Sequence, residues 1–128
     1  MARVVFDASA VIALLRGEPG SEVVATYVGD ALISAVNLQE AIKALLVRGF
    51  SIKIARTMIE ALHLEVRSHS AKEAYAAAAL YEMTKEYGRG LGDRTCMALA
   101  IDEGLPVITT DQVWTKLKVQ GLTVNLAR

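Results

Sequence analysis

The sequence predicts an α/β fold: a central, mainly parallel β-sheet of about four to five strands flanked by helices. Three observations lead there. Val4-Val5-Phe6, Ala31-Leu32-Ile33-Ser34 and Val107-Ile108-Thr109 are short apolar runs, the pattern of strands buried on both faces. Helical patterns, not tight turns, separate them, as parallel crossovers require. With 128 residues, 53% of them hydrophobic, the chain has material for one packed core, so a single domain over 1–128 is expected.

Each element follows from its residues. Val4-Val5-Phe6 ends at Asp7, and Val11, Ile12, Leu14 and Leu15 then space as a helix over Ser9 to Arg16. Gly17, Pro19 and Gly20 punctuate, and Ser21 to Val28 reads as a second short helix. After the Ala31–Ser34 strand, Leu38, Ile42, Leu45 and Leu46 form one face of a helix over Asn37 to Val47. Asn37 and Glu40 stand at capping-box spacing at its start. Gly49 stops it, and Ser51 to Leu62 repeats the pattern through Ile54, Met58, Ile59 and Leu62. Leu64 to Arg67 alternates as an edge strand. Ser70, with Glu73 at capping-box spacing, opens one long alanine-rich helix to about Tyr87. Gly88, Gly90 and Gly92 break the chain before a helix over Asp93 to Glu103. Gly104-Leu105-Pro106 turns it into the Val107–Thr109 strand. A short helix over Val113 to Leu117 and a strand over Leu122 to Leu126 complete the series.

Composition excludes several function classes. Fourteen basic residues balance 14 acidic ones, so binding a polyanion through bulk positive charge is not expected. No uncharged apolar run reaches about 18 residues, so no membrane span is expected. The apolar stretch behind Arg3 has a leader-like outline that Asp7 interrupts. Cys96 is alone and forms no internal disulfide, which fits a reducing, cytoplasmic setting. At 5% of the chain, aromatic residues are too few for an extended base-stacking platform.

The acids carry the functional signal. Ligands of open α/β sheets bind outside the carboxyl ends of the strands. Asp7 follows the first strand, Asp111 follows the Val107–Thr109 strand, Glu40 lies in the first turn of the helix after the second strand, and Asp93 opens a helix after the glycine-rich loop. All four are therefore expected on one rim. Helix capping also predicts acids at those junctions. Asp7 is the least ordinary of them, because a charge set against a buried strand is costly. Clustered carboxylates need a cation to hold them together, and oxygen-only ligation suits Mg²⁺ or Mn²⁺ rather than zinc. Spacing and rim placement leave capping and metal ligation both open.

The segments Phe6-Asp7-Ala8-Ser9-Ala10, Ser34 to Glu40, Gly90-Leu91-Gly92-Asp93-Arg94 and Thr109-Thr110-Asp111 resemble the signatures of the PIN-domain family, and within it the VapC toxins of toxin–antitoxin pairs. The resemblance runs through essentially the whole chain. It implies a PIN-like three-layer α/β/α fold and a Mg²⁺- or Mn²⁺-dependent endoribonuclease. Asp7, Glu40, Asp93 and Asp111 would be its catalytic and metal-binding acids, supported by Ser9, Asn37 and Thr110. It also implies a cognate antitoxin that blocks the site, and frequently a homodimer, which the mean hydropathy of +0.34 favours. Arg94 and Arg89 are candidate RNA contacts. The glycine spacing before Asp93 follows a helix rather than a strand, so it is not a nucleotide-binding fingerprint.

The remaining chemistry-bearing residues have simpler readings. His63 and His69 flank an edge strand away from the acidic rim. Cys96 and Trp114 are expected in the core. Leu15, Val24, Leu46 and Met58 are candidates to line an apolar groove, with core packing the alternative. The rival functions are a non-toxin PIN nuclease of RNA processing, a receiver-like phosphate acceptor and a catalytically silent interaction protein. The receiver lacks its acceptor aspartate on a mid-chain strand, and the complete acid set argues against a silent protein. Setting the four acids aside leaves ten acidic against 14 basic residues. A metal-loaded rim would then face RNA with mildly positive surroundings, so substrate binding as well as cleavage is expected to need the metal.

Overall fold

The computed structural model describes residues 3–87 and 90–128. Five parallel strands form one sheet in the order β3-β2-β1-β4-β5, with β1 at Val4–Phe6, β2 at Ala31–Ser34, β3 at Glu65–Arg67, β4 at Val107–Thr109 and β5 at Val124–Leu126. The expected α/β class therefore holds, and every strand pairing is parallel. β1 is central, its Val5 lying opposite Leu32 on β2 and Val107 on β4.

The two-residue period of the strands divides the core. Val4, Phe6, Ala31, Ile33 and Ile108 point to one face. They meet α1 (Ala8–Arg16), α2 (Ser21–Ala25), α3 (Ala35–Val47) and α4 (Ile52–Glu60) through Val11, Val24, Leu45 and Ile59. Val5, Leu32 and Val107 point to the other face, against Cys96, Met97 and Ala100 of α7 (Leu91–Glu103), together with Trp114 and Leu80. α5 (Ala71–Ala78) packs outside α7. The edge strand β3 carries charged Glu65 and Arg67 on either side of its one apolar residue, which discourages pairing with another edge.

Several boundaries differ from those the sequence predicts. The helix after β2 starts at Ala35, because the Ser34 hydroxyl accepts from the Val36 amide and is the cap. Asn37 is thus inside the helix, and the expected Asn37–Glu40 capping box does not form. Asp93 is the third residue of α7, not its cap; Gly90 holds the cap position. The alanine-rich segment is not one helix. The capping box of Ser70 and Glu73 is present, but α5 ends at Ala78, α6 spans Tyr81–Thr84, and a 3₁₀ turn covers Lys85–Tyr87. Alanines offer little to anchor the segment, and the chain bends where Leu80 turns into the core. The Thr84 hydroxyl donates to the Leu80 carbonyl there (2.9 Å), the back-bonding that bends helices. The second helix stops at Ala25, and the segment after Asp111 is a 3₁₀ helix, Gln112–Lys116. Of the proposed groove residues, Val24 is fully buried and Leu15 and Met58 pack against the core. Leu46 is half exposed. Cys96 and Trp114 are buried as expected. No helix among the described residues is long and apolar enough to cross a membrane.

Leu32 lies on β2, beside the central strand, with no exposure. Leu32→Ala is expected to destabilise the protein by about 2–5 kcal/mol through lost transfer energy and a residual cavity. A urea denaturation midpoint unchanged from wild type would contradict that packing.

Candidate active site

The site begins with Asp7. β1 is hydrogen-bonded on both sides, so its last residue has little freedom, and Asp7 emerges from it as the N-cap of α1. One carboxylate oxygen, Oδ1, accepts from the Ala10 amide (2.9 Å) and the Ser9 hydroxyl (2.7 Å). The other, Oδ2, accepts from the Thr109 hydroxyl (2.5 Å). Asp7 is 5% exposed, and among the described residues these neutral groups, not a cation, hold it. Burial is the largest influence and raises its pKa from 3.8 to about 6, against the lowering effect of those hydrogen bonds; the nearby Asp93 charge adds to the rise. That displacement corresponds to about 3 kcal/mol of preference for the neutral form.

The same mesh reaches Asp111. Thr109 Oγ1 accepts from the Asp111 amide (3.1 Å), and the Ser9 hydroxyl accepts from the Thr110 amide (3.0 Å). Asp111 itself caps the following 3₁₀ helix by accepting from the Val113 amide (3.0 Å). The ends of β1 and β4 are thereby tied together through Ser9 and Thr109. The expected support from Thr110 comes from its backbone. The hydroxyl that meets Asp7 is that of Thr109, the last residue of β4. A threonine closing the otherwise apolar run Val107-Ile108 was its signal.

A second unit joins α3 to α7. Asn37, 1% exposed, donates through Nδ2 to Glu40 Oε1 (2.8 Å) and to the Gly92 carbonyl (2.9 Å). Its own Oδ1 is buried without a partner among the described residues. Glu40 is the sixth residue of α3, beyond its first turn, and its carboxylate lies against Gly92, where a Cβ would overlap it. Gly92 is needed here for close approach, not for chain reversal. Asp93 follows it, half buried in the first turn of α7. One helical turn further, the buried Cys96 thiol is pushed well above its ordinary value, first by burial and then by the charges of Asp7, Asp93 and Glu40. Those three acids therefore share one field.

The structure thus brings Asp7, Ser9 and Asp111 into one hydrogen-bonded mesh, and Asn37, Glu40 and Asp93 to its neighbour across α7. Among the described residues, no three acidic, histidine or cysteine side chains converge as a preformed metal cluster. A hard cation such as Mg²⁺ keeps several waters and needs only one or two direct carboxylates, so convergence of three is not a requirement. The donor chemistry fits such an ion: oxygen ligands only, and a buried acid without a compensating cation among the described residues. Arg94 is half buried with its guanidinium 5.7 Å from the centre of the Tyr81 ring. His69 lines cavities beside Thr95 and Arg94, nearer the site than the expected edge-strand surface; His63 is exposed. Arg89 lies outside the described residues.

Residues 4–119 match the PIN domain family model. The chain belongs to the PIN-domain family. Its fold is shared with several solved structures. A chain of the DNA-bound VapBC complex of Salmonella typhimurium superposes with a TM-score of 0.75 at 16% identity, covering 100% of both chains. A toxin–antitoxin complex from Klebsiella pneumoniae gives 0.70 at 21%, covering 94% of this chain and 95% of that one. VapBC-5 of Mycobacterium tuberculosis, a member of the VapBC family of toxin–antitoxin systems, gives 0.63 at 23%, covering 97% and 98%. No curated protein matches the sequence. At these identities the likeness establishes the three-layer PIN fold of this chain.

Two expectations test the site without reference to turnover. In metal-free buffer the native state keeps a proton on Asp7 up to about pH 6, while the unfolded chain releases it near 3.8. The native state binds more protons between those values, so stability falls as pH rises through that window and is level above it. Asp7→Asn is expected to remove that fall, on the order of 3 kcal/mol across the window; an identical pH slope in urea titrations of both proteins would refute it. Gly92→Ala is expected to detach Glu40 from Asn37, moving the Asn37 side-chain amide signals in NMR spectra. Its melting temperature should change little, because helix propensity gains about 1 kcal/mol and an exposed carboxylate can swing away.

Proposed function

We propose that this PIN-domain protein is a Mg²⁺- or Mn²⁺-dependent endoribonuclease, the toxin of a toxin–antitoxin pair, held inactive by a cognate antitoxin. One observation carries the reading. Asp7 is a buried carboxylate that the fold keeps at the centre of the sheet rim, in the field of other acids, where an acid without a cation is destabilising.

In this reading Asp7, Glu40, Asp93 and Asp111 are the metal-binding and catalytic acids. A bound divalent ion supplies charge neutralisation at the phosphate and a water of lowered pKa. The protein's residues do the placing. Ser9 and Thr109 aim the Asp7 carboxylate by donating to its two oxygens, and they leave it no rotamer to explore. Asn37 orients Glu40 against Gly92, where the carboxylate can accept a proton from a water or hold the ion. Asp111 is positioned through its amide by Thr109. Arg94 is the candidate phosphate contact among the described residues, and Arg89 is a second candidate.

The toxin assignment draws on the structural neighbours, whose names are those of toxin–antitoxin complexes. An apolar groove of about 630 Å³ between α3 and α4, with Ile52 56% exposed at its border, is a surface that suits a protein partner. A homodimer and a cytoplasmic setting accompany the reading.

The deciding experiment incubates the purified protein with total RNA, with and without Mg²⁺ or Mn²⁺, and maps the new ends. Cleavage is expected only with metal and is lost on chelation. Asp7→Asn and Asp93→Asn are each expected to lower the rate by at least about a hundredfold while circular dichroism stays native, as for loss of a group acting on developing charge. Metal-independent cleavage, or wild-type rates in the double variant, would remove the assignment.

A further inference from the structure

A groove of about 510 Å³, within the size range of small-molecule sites, lies at the N-terminal ends of α3 and α7, the helices that carry Glu40 and Asp93. Its position is set by the two helices that carry the site. Val36, just before Asn37, forms one wall, and Leu91, Arg94 and Thr95, which flank Asp93, form another. Leu91, Arg94 and Thr95 share one face of α7 by their spacing, and Asp93, in the same first turn, points away from that face. The third wall is the alanine run of α5, whose small side chains keep the groove open, closed at its end by Tyr81.

The walls have a distinct chemistry. Tyr81 is 52% exposed and Leu91 77% exposed, so two large apolar surfaces face solvent at the mouth. The Arg94 guanidinium over the Tyr81 ring adds a planar cation at the same place. Two hydrogen-bonding side chains, His69 and Thr95, enter the otherwise mainly apolar lining, and both also line a smaller cavity of about 50 Å³ that Ser34 and Asp102 share. An apolar, flat-walled groove with a planar cation and hydrogen-bonding side chains on its wall suits an unstacked base, which needs a π surface for its face and donors and acceptors for its edge.

We propose that this groove is the subsite for one nucleobase of the substrate strand, adjacent to the phosphate at the acids. The proposal rests on the RNA-cleaving reading of the neighbouring site and adds a specificity determinant to it. The base packs against the paired Arg94 guanidinium and Tyr81 ring, and its edge meets Thr95 and His69. Tyr81 and Thr95 are positioning and selecting residues, not catalytic ones, since neither belongs to the acid rim. Sequence selection in this protein is thereby placed on α5, α6 and the outer face of α7.

The test has two arms. In the first, the four nucleoside 5′-monophosphates are titrated into the full chain and methyl NMR signals are followed. Saturable shifts at Ala77, Ala78 and Leu91 are expected, with one base binding more tightly than the others. Tyr81→Ala should weaken that binding about tenfold, within the range for loss of one base–aromatic stack. In the second, a randomised single-stranded RNA pool is cleaved and the ends are sequenced. Wild type should show a base preference at one position beside the cut. Tyr81→Ala and the isosteric Thr95→Val should flatten it about tenfold while cleavage persists. Nucleotides that leave the groove methyls unmoved, or a preference unchanged in both variants, overturn the subsite even if RNA is cut. Nucleotide binding in the groove with no cleavage of any RNA keeps the subsite and removes the nuclease reading. Concentration-dependent self-association abolished by Ala78→Trp would assign the groove to a second copy and overturn the proposal.

Discussion

The Asp7 carboxylate sits where the two central strands of the sheet end, and the geometry of the site follows from how its charge is accommodated. Both oxygens accept from the protein's own donors: the Ala10 amide and the Ser9 hydroxyl at Oδ1, and the Thr109 hydroxyl at Oδ2. Hydrogen bonds to a charged group contribute about 1.5–3 kcal/mol each, yet burial still wins and the carboxyl group's pKa stands near 6. A fold that retains such a group gives up stability at neutral pH, which is common where a polar site is kept for chemistry. The donors serve a second purpose. Ser9 and Thr109 also accept from the backbone at Thr110 and Asp111, so the residues holding Asp7 fix the path of the chain that carries the last acid.

The other half of the rim depends on a close approach between helices. Glu40 on α3 and Asp93 on α7 are brought near each other because Gly92 has no side chain and because Asn37 bridges the gap to its carbonyl. Packing of the sheet beneath makes this possible. Leu32 and Val5 seat α7 through Cys96 and Met97 on one face, while Ile33 and Phe6 seat α3 through Ala41 and Leu45 on the other. Two separate cores thus meet at the carboxyl ends of β1 and β2. Val36 of α3 and Leu91, Arg94 and Thr95 of α7 line a groove whose other wall is α5.

The sheet was legible because fully buried parallel strands are continuous apolar runs, and Asp7, Asp93 and Asp111 were legible because each stands just after such a run or at a helix start, whereas Glu40 lies beyond the first turn of α3. The misreadings have local causes. Asn37 and Glu40 have capping-box spacing, but spacing does not reveal that Ser34 already caps the helix, which frees the Asn37 amide for Gly92. The long alanine-rich helix has no glycine or proline to mark its break; the bend comes from Leu80 entering a core formed by residues distant in sequence. Thr109 and Thr110 are alike in sequence, and only the pairing of β1 with β4 shows that the Thr109 hydroxyl faces Asp7. The position of His69 was likewise hidden, since β3 at the sheet edge delivers it to a cavity shared by α5 and α7.

By itself the sequence determined the strands, their parallel arrangement and the family, because hydrophobic period and short motifs are local properties. It also placed Asp7 and Asp111 just past the ends of two strands, because both follow apolar runs. Tertiary structure alone decided which groups touch. Those contacts are the Ser9 and Thr109 grip on Asp7, the Asn37 bridge to Gly92 and the groove between Tyr81 and Arg94. Each joins residues separated along the chain whose distance is set by the order β3-β2-β1-β4-β5 and by the packing of α3 and α7 upon it. Pattern along a chain fixes direction and burial, whereas a hydrogen bond requires atoms within about 3 Å, and only the packed core sets distances that small.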